Sequence, residues 1–486
     1  MRRSGWLVLA CALAVVAAAC GREGETTEPG PSDSGVTATS EPDGSGDGES
    51  ALDSGAFGDL GVVCQPAAQS ATAKAAVDPG VTADSIQIST FSDAGFAGRP
   101  GLNQELIDTA EAFTKWCNEH GGINGRTIDL IERDARLNEF QQRVIEACDD
   151  GDFFTVGGGA TFDDTGQRDR LACGLPTIVA FAVSAEAAAA DLSIQPVPNP
   201  PNQISVGSHR WLAQQLPDST QSVGIFAASI AATESIAARH KEAIVDGLGW
   251  KVVYDATYNP LGEAAWRPFL EAMRGAGVRG LIWVGEPSYL AKLLTEAESL
   301  DITFDWVTAD ANHYDPVLTD SAGSAADNTF IRSTFFPFLT DEDASANPAT
   351  EQYRTLMREY DPDGKIAYLG VQSLSAWLLF AKAASECGVN LTRDCVWSNA
   401  SGIEEWSGGG LHAPSDLTGG AGGNASTCWS LVGANNGDFG LADIDPTDGP
   451  YVCAADSVYD LQGNYGQGAK CASKEYAADP KPSTCV

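Results

Sequence analysis

The sequence predicts an α/β protein built as two doubly wound lobes with a ligand cleft between them. Two observations predict it. Strand and helix patterns alternate in one series from about residue 81 to 182, and again in a second from about 222 to 308. Regular alternation of this kind implies parallel sheets with right-handed crossovers. Ligands in such sheets sit beyond the carboxyl ends of the strands, and between two facing lobes that place is a cleft.

In the first series, 85–90 reads as a strand from its alternating Ile86 and Ile88. Residues 102–120 read as a helix, with Leu106, Ala110, Phe113 and Cys117 on one face and Gly121-Gly122 as its stop. Strands follow at 127–131, 153–156 and 177–182, with a helix at 139–148 between the first two. In the second series, strands are expected at 222–226, 251–254, 280–284 and 304–308, with helices at 232–248, 264–277 and 289–300. The segment 331–338 reads as a crossing strand rather than a core strand. Helices follow at 349–360, behind Pro348, and at 367–387. The Gly-, Asn- and Asp-rich tail from Cys395 reads as loops and short strands stapled by disulfides.

The amino-terminal end reads as an export signal. Arg2 and Arg3 precede an apolar run at 6–19, too short and too near the terminus for a membrane-spanning helix. Ala17-Ala18-Ala19 before Cys20 resembles a bacterial lipobox, with Ala17 in place of the usual Leu. The expectation is a lipoprotein signal at 1–19 and lipid on Cys20; the alternative is an ordinary secretory signal cut near the same point. Residues 20–60 read as a flexible acidic tether, with ten acids against one Arg in 21–60. Such a segment cannot bury enough surface to offset its chain entropy.

Of 12 Cys, Cys11 leaves with the signal and Cys20 takes lipid, leaving ten in the exported chain. An even number in that setting suggests disulfides, and Cys387 with Cys395 is the first expected pair. No metal site is expected, because there is no CxxC and the five His are scattered. The net charge of -37 disfavours nucleic acid and anionic membrane as partners, so membrane contact is expected through lipid only. No cofactor motif is found. No GxSxG elbow, P-loop or HExxH motif is present, so a binding protein is expected rather than an enzyme.

Two runs carry a resemblance. Pro79-Gly80-Val81-Thr82-Ala83-Asp84-Ser85-Ile86-Gln87-Ile88 opens the folded part. Asn118-Glu119-His120-Gly121-Gly122-Ile123-Asn124-Gly125-Arg126 follows the first helix. In order and spacing, residues 79–435 resemble the branched-chain amino-acid (Leu/Ile/Val) type of periplasmic binding protein, the extracytoplasmic receptor of ABC importers. The resemblance implies two lobes joined by three crossover strands: about 80–207 with 340–400, and about 208–335 with 405–470, within a domain at 61–486. The second run is itself a structural signature, since Gly pairs and Asn-Gly make tight turns.

The resemblance also implies a ligand site. The first lobe would hold a ligand carboxylate after its third and fourth strands, at Thr161 and at Ala182 with Ser184. Helix capping is the alternative role for Thr161 and Ser184. Gly157-Gly158-Gly159 would let the ligand approach the backbone. In the second lobe Asp310 would face a ligand ammonium. Glu286 and Tyr289 stand at the neighbouring strand end, and Phe96 follows the first strand, where it would pack on the ligand. The loop 229–233 lacks the family's aromatic, which points to a different side-chain pocket. The expected function is capture of a small polar ligand, an amino acid or a related amide or carboxylate, for delivery to an ABC permease. The alternative is a sensor of the same fold that signals to a partner without transport.

Overall fold

The computed structural model describes residues 51–67, 78–418, 420 and 422–471. The signal, Cys20 and the tether up to residue 50 lie outside the described residues.

The first lobe is a five-stranded parallel sheet in the order β2-β1-β3-β4-β5. Its strands are β1 (Ser85–Ser92), β2 (Thr127–Asp134), β3 (Phe154–Val156), β4 (Thr177–Ile178) and β5 (Ser193–Ile194). The fourth strand is two residues long, shorter than expected, although Val179 and Ala180 still donate to the Ile194 and Gly158 carbonyls. The helix Gln104–Glu119 buries Leu106, Ala110, Phe113 and Cys117, the face predicted from spacing.

The chain then crosses to the second lobe at β6 (Gln203–Ser205), which pairs with β15 (Val458–Asp460). The second sheet runs β13-β12-β11-β10-β9-β7-β8. It contains β7 (Val223–Ala228), β8 (Val252–Tyr258), β9 (Gly280–Val284), β10 (Trp306–Ala309), β11 (Thr329–Ser333), β12 (Cys428–Asn435) and β13 (Asp438–Leu441); β14 (Val452–Cys453) pairs with β12. β11 corrects the reading of 331–338 as a crossing strand. It pairs parallel with β10 and antiparallel with β12, so it is a central strand, and the crossing begins only after it. Its Ile331 and Ser333 are fully buried, as a strand covered on both sides requires.

After β11 the chain returns to the first lobe. The long helix Tyr368–Glu386 packs there: Trp377 stacks on Phe113, and Phe380 meets Phe153 and Phe154. A third crossing leads from the helix Arg393–Ala400 to β12.

Residues 51–60 correct the expected tether. They form two 3-10 turns, Ala51–Ser54 and Gly58–Leu60, and bury Leu52 and Phe57 in the first-lobe core. Trp116 donates its indole N–H to the Leu52 carbonyl at 2.9 Å. The acidic composition of the whole stretch concealed these few apolar side chains.

Four disulfides join Cys64–Cys117, Cys148–Cys173, Cys387–Cys395 and Cys428–Cys453. Cys387–Cys395 is the expected pair, and Cys471 is disulfide-bonded as well. The glycine-rich run after the first helix is structural. At Gly122 (φ +68°) a Cβ would meet the Arg126 carbonyl, Asn118 bonds both backbone groups of Ile128, and none of 118–126 lines the cleft.

Candidate ligand cleft

The carboxyl ends of the parallel strands of both sheets open on one cleft of about 570 Å³. That lies within the usual range of small-molecule sites, roughly 300–1,000 Å³. Phe96, Thr161, Ala182, Glu286, Tyr289 and Asp310 all line it, and Ser184 does not. Ser184 is the N-cap of the short helix Ala185–Ala188, where its hydroxyl accepts from the Ala187 N–H at 3.1 Å. The capping alternative therefore holds for Ser184.

The first-lobe donors expected to take a ligand carboxylate already hold carboxylates of the chain itself. Asp93, fully buried after β1, accepts the backbone N–H and the hydroxyl of Thr161 at 2.8 and 2.9 Å. Its other oxygen accepts the Leu137 N–H at 2.9 Å. Burial raises its pKa against the lowering pull of these bonds. Asp163 accepts the N–H groups of Val183 and Ser184 at 2.7 and 3.0 Å. Burial pushes that carboxyl up to about 7, outweighing its hydrogen bonds.

The three glycines after β3 serve packing rather than ligand approach. A Cβ at Gly157 would meet the Trp377 indole, at Gly158 the backbone of Phe91, and at Gly159 the ring of Phe181. Their small size lets protein, not ligand, come close.

On the second-lobe side both candidate carboxylates are compensated. Asp310, side chain 36% exposed, accepts from His240 Nε2 at 3.3 Å. Burial raises its pKa, but the His240 hydrogen bond and the charges of His240, His313 and Arg332 outweigh burial and hold it below the usual value. Glu286 pairs with Arg99 from the first lobe, an ion pair that spans the cleft. Its backbone N–H points to the Tyr258 hydroxyl. Nearby, Lys365 donates to Glu105 at 3.0 Å and to Asp315 at 2.6 Å, tying a first-lobe helix to the second lobe.

The sequence reading missed several cleft residues. His209 and His240, 31 positions apart in sequence, bring their ring centroids to 5.6 Å. Burial, with smaller contributions from His240 and Arg332, takes the His209 pKa down to about 3. Arg239 gives its guanidinium to the Pro200 and Gln203 carbonyls at 2.7 and 2.6 Å. Trp283 lies against Tyr258, rings stacked at 4.6 Å. Arg332, Phe330 and Tyr368 complete the wall. None carries a local motif; only the strand order reveals them. As the loop 229–233 suggested, it presents Ile230 and Thr233 instead of an aromatic ring.

Among the described residues, the charged side chains lining the cleft, histidines aside, are Arg99, Arg239 and Arg332 against Glu286 and Asp310. The chain carries -37 overall, yet this wall carries an excess of arginine. No group of three or more His, Cys, Asp or Glu among the described residues could hold a metal ion, and no described helix is long and apolar enough to cross a membrane.

Two doubly wound lobes, three crossings and a cleft lined from both sides define a type I binding-protein fold. Comparison with known proteins agrees. Residues 93–438 match the family model described as periplasmic binding protein. The chain belongs to that family, whose members act outside the cytoplasm. Among solved structures it is similar to a fatty acid ABC transporter substrate-binding protein from Thermomonospora curvata, at 15% identity and TM-score 0.64, covering 79% of this chain and 96% of that one. It is also similar to a branched-chain amino-acid transporter substrate-binding protein from Streptococcus pneumoniae in complex with isoleucine, at 14% identity and TM-score 0.59, covering 73% and 98%. A leucine-binding protein from Thermotoga maritima gives 14% identity and TM-score 0.60, covering 73% and 97%. No curated protein sequence matches.

Proposed function

We propose that the chain is the extracytoplasmic binding component of an ABC importer, capturing a small organic ligand by lobe closure and handing it to a permease. One observation carries this reading: a cleft of small-molecule size, lined from both lobes and bridged by Arg99 and Glu286. A ligand that touches both lobes only when they are closed shifts the population toward closure. The role is capture and release without chemistry. Cys20 carries the lipid that holds the chain at the membrane surface.

Among the ligands the sequence suggested, the cleft favours an acid over a zwitterionic amino acid. An amino acid needs a free anion for its ammonium and free donors for its carboxylate. Asp310 already accepts from His240, Glu286 is paired with Arg99, and Thr161 already bonds Asp93. Resembling structures include a fatty-acid and an isoleucine protein, so the fold accommodates either class.

A thermal-shift screen of amino acids, amides and small carboxylates tests the function. Binding to the folded state alone raises stability by about 2.7 kcal/mol at a hundredfold excess over Kd. At least one compound is expected to raise Tm. A flat response across the whole panel would count against a solute-binding role. In cells, Cys20→Ala is expected to release the chain from the membrane fraction.

A further inference from the structure

The second-lobe wall holds several polar groups that the fold leaves without partners. His209 is 4% exposed and lines the cleft, with neither ring nitrogen hydrogen-bonded. Thr308 and Ser205, each 8% exposed, also line it, and their hydroxyls make no hydrogen bond. A buried polar group without a partner costs roughly 1–3 kcal/mol. Three such groups on residues that line one cavity are expected where a ligand completes them.

Arg332 stands beside them. Thr308 on β10 is the register partner of Phe330 on β11, and Arg332 lies two residues further along, on the Phe330 face. Among the described residues the Arg332 side chain forms no ion pair and no hydrogen bond. Its charge reaches both His209 and Asp310. The neighbouring Asp310 already accepts from His240, and Arg239 lines the same cleft as Arg332, so the wall has room for a negative charge.

We propose that this wall is an anion subsite. Arg332, His209, Thr308 and Ser205 hold the acid head of a monocarboxylic ligand, and its apolar body runs toward Phe96, Leu137, Phe162 and Phe181 in the first lobe. This rests on the solute-binding reading above. It places the ligand's carboxylate on the lobe opposite to the one expected from the sequence. In the first lobe Asp93 and Asp163 already occupy the equivalent donors.

The test compares octanoate, 1-octanol, octylamine and leucine on the purified protein, by calorimetry and by intrinsic tryptophan fluorescence. Octanoate is expected to bind, with the alcohol and the amine at least tenfold weaker. Arg332→Ala is expected to weaken octanoate by about tenfold to a hundredfold and to leave octanol unchanged. Arg332→Lys should recover part of the loss, and Thr308→Val should weaken octanoate less. Circular dichroism and Tm confirm that each variant folds. If octanol binds as tightly as octanoate, or Arg332→Ala weakens both equally, the anion subsite is wrong while the binding function stands. Binding of leucine without octanoate overturns it in the same way. If none of the four probes binds, the subsite is also rejected, and the solute-binding role then stands or falls on the wider thermal-shift screen.

Discussion

Thr161 donates both its backbone N–H and its hydroxyl to a single oxygen of Asp93, at 2.8 and 2.9 Å. Two donors aimed at one carboxylate oxygen are the arrangement expected for a bound acid, and here the acid is covalently part of the protein. Asp93→Ala therefore strands the N–H groups of Thr161 and Leu137. A loss of about 2–4 kcal/mol in urea unfolding is expected. Added formate should restore part of it, because a small carboxylate fits where the side chain was.

Lys365 neutralises Glu105 and Asp315, whose side chains are 5% and 4% exposed. Lys365→Met leaves two buried carboxylates facing each other. Removing one partner of a buried pair costs about 3–5 kcal/mol, and the part-exposed lysine places this case near the lower figure. Differential scanning calorimetry should show a clearly lower Tm at pH 7, with part of the loss relieved in acid, where Glu105, its pKa raised by burial, takes up a proton.

Three buried histidines push stability down with falling pH, and Asp163, its carboxyl raised to about 7 by burial, opposes them. Burial lowers the pKa of His209 to about 3 and of His313 and His412 to about 4, from an unfolded value of 6.5. The unfolded chain therefore binds protons below pH 6.5 that the folded chain refuses. This stability is present above 6.5 and is lost as pH falls toward 4, by about 1 kcal/mol per histidine between pH 7.5 and 5.5. His412 depends on staying neutral: Nδ1–H donates to the Ala413 carbonyl and Nε2 accepts from Ser375, which accepts from Trp406. In denaturant unfolding across this range, His412→Gln should have a shallower acid limb than the parent.

Phe57, fully buried, makes the segment before Cys64 part of the core. Phe57→Ala is expected to cost about 3–5 kcal/mol. An unchanged denaturation midpoint would show instead that residues 51–67 contribute nothing to the fold.

Glu286 and Arg99 join the lobes across the cleft. Glu286→Gln removes the charge and is expected to favour the open form. Small-angle X-ray scattering should report a larger radius of gyration without ligand, and the value should fall when a ligand closes the lobes.

The strand–helix series, the cleft and its strand-end positions were legible from sequence, because periodicity and the carboxyl-end rule are local or topological. Thr161 and Asp310, expected from the family resemblance, and Glu286 and Tyr289, expected from their strand end, all line the cleft. Their partners were not legible. That Asp93 would bond Thr161, 68 positions away, or that His240 would bond Asp310, 70 positions away, depends on register between strands and helices far apart in the chain. β11 was misread because an eight-residue window blended a buried strand with the crossing that follows it. Ser184 was assigned by position, and its neighbouring helix start claimed it.

The four disulfides with both ends among the described residues each close within one lobe: three staple the first and Cys428–Cys453 the second. They shrink the unfolded ensemble, yet none of them restrains the rotation of one lobe against the other. The cross-links therefore reinforce each rigid body and leave the joint compliant. Reducing agents should erode durability while the amplitude of closure stays the same, and only a new bridge laid across the cleft mouth would arrest the cycle.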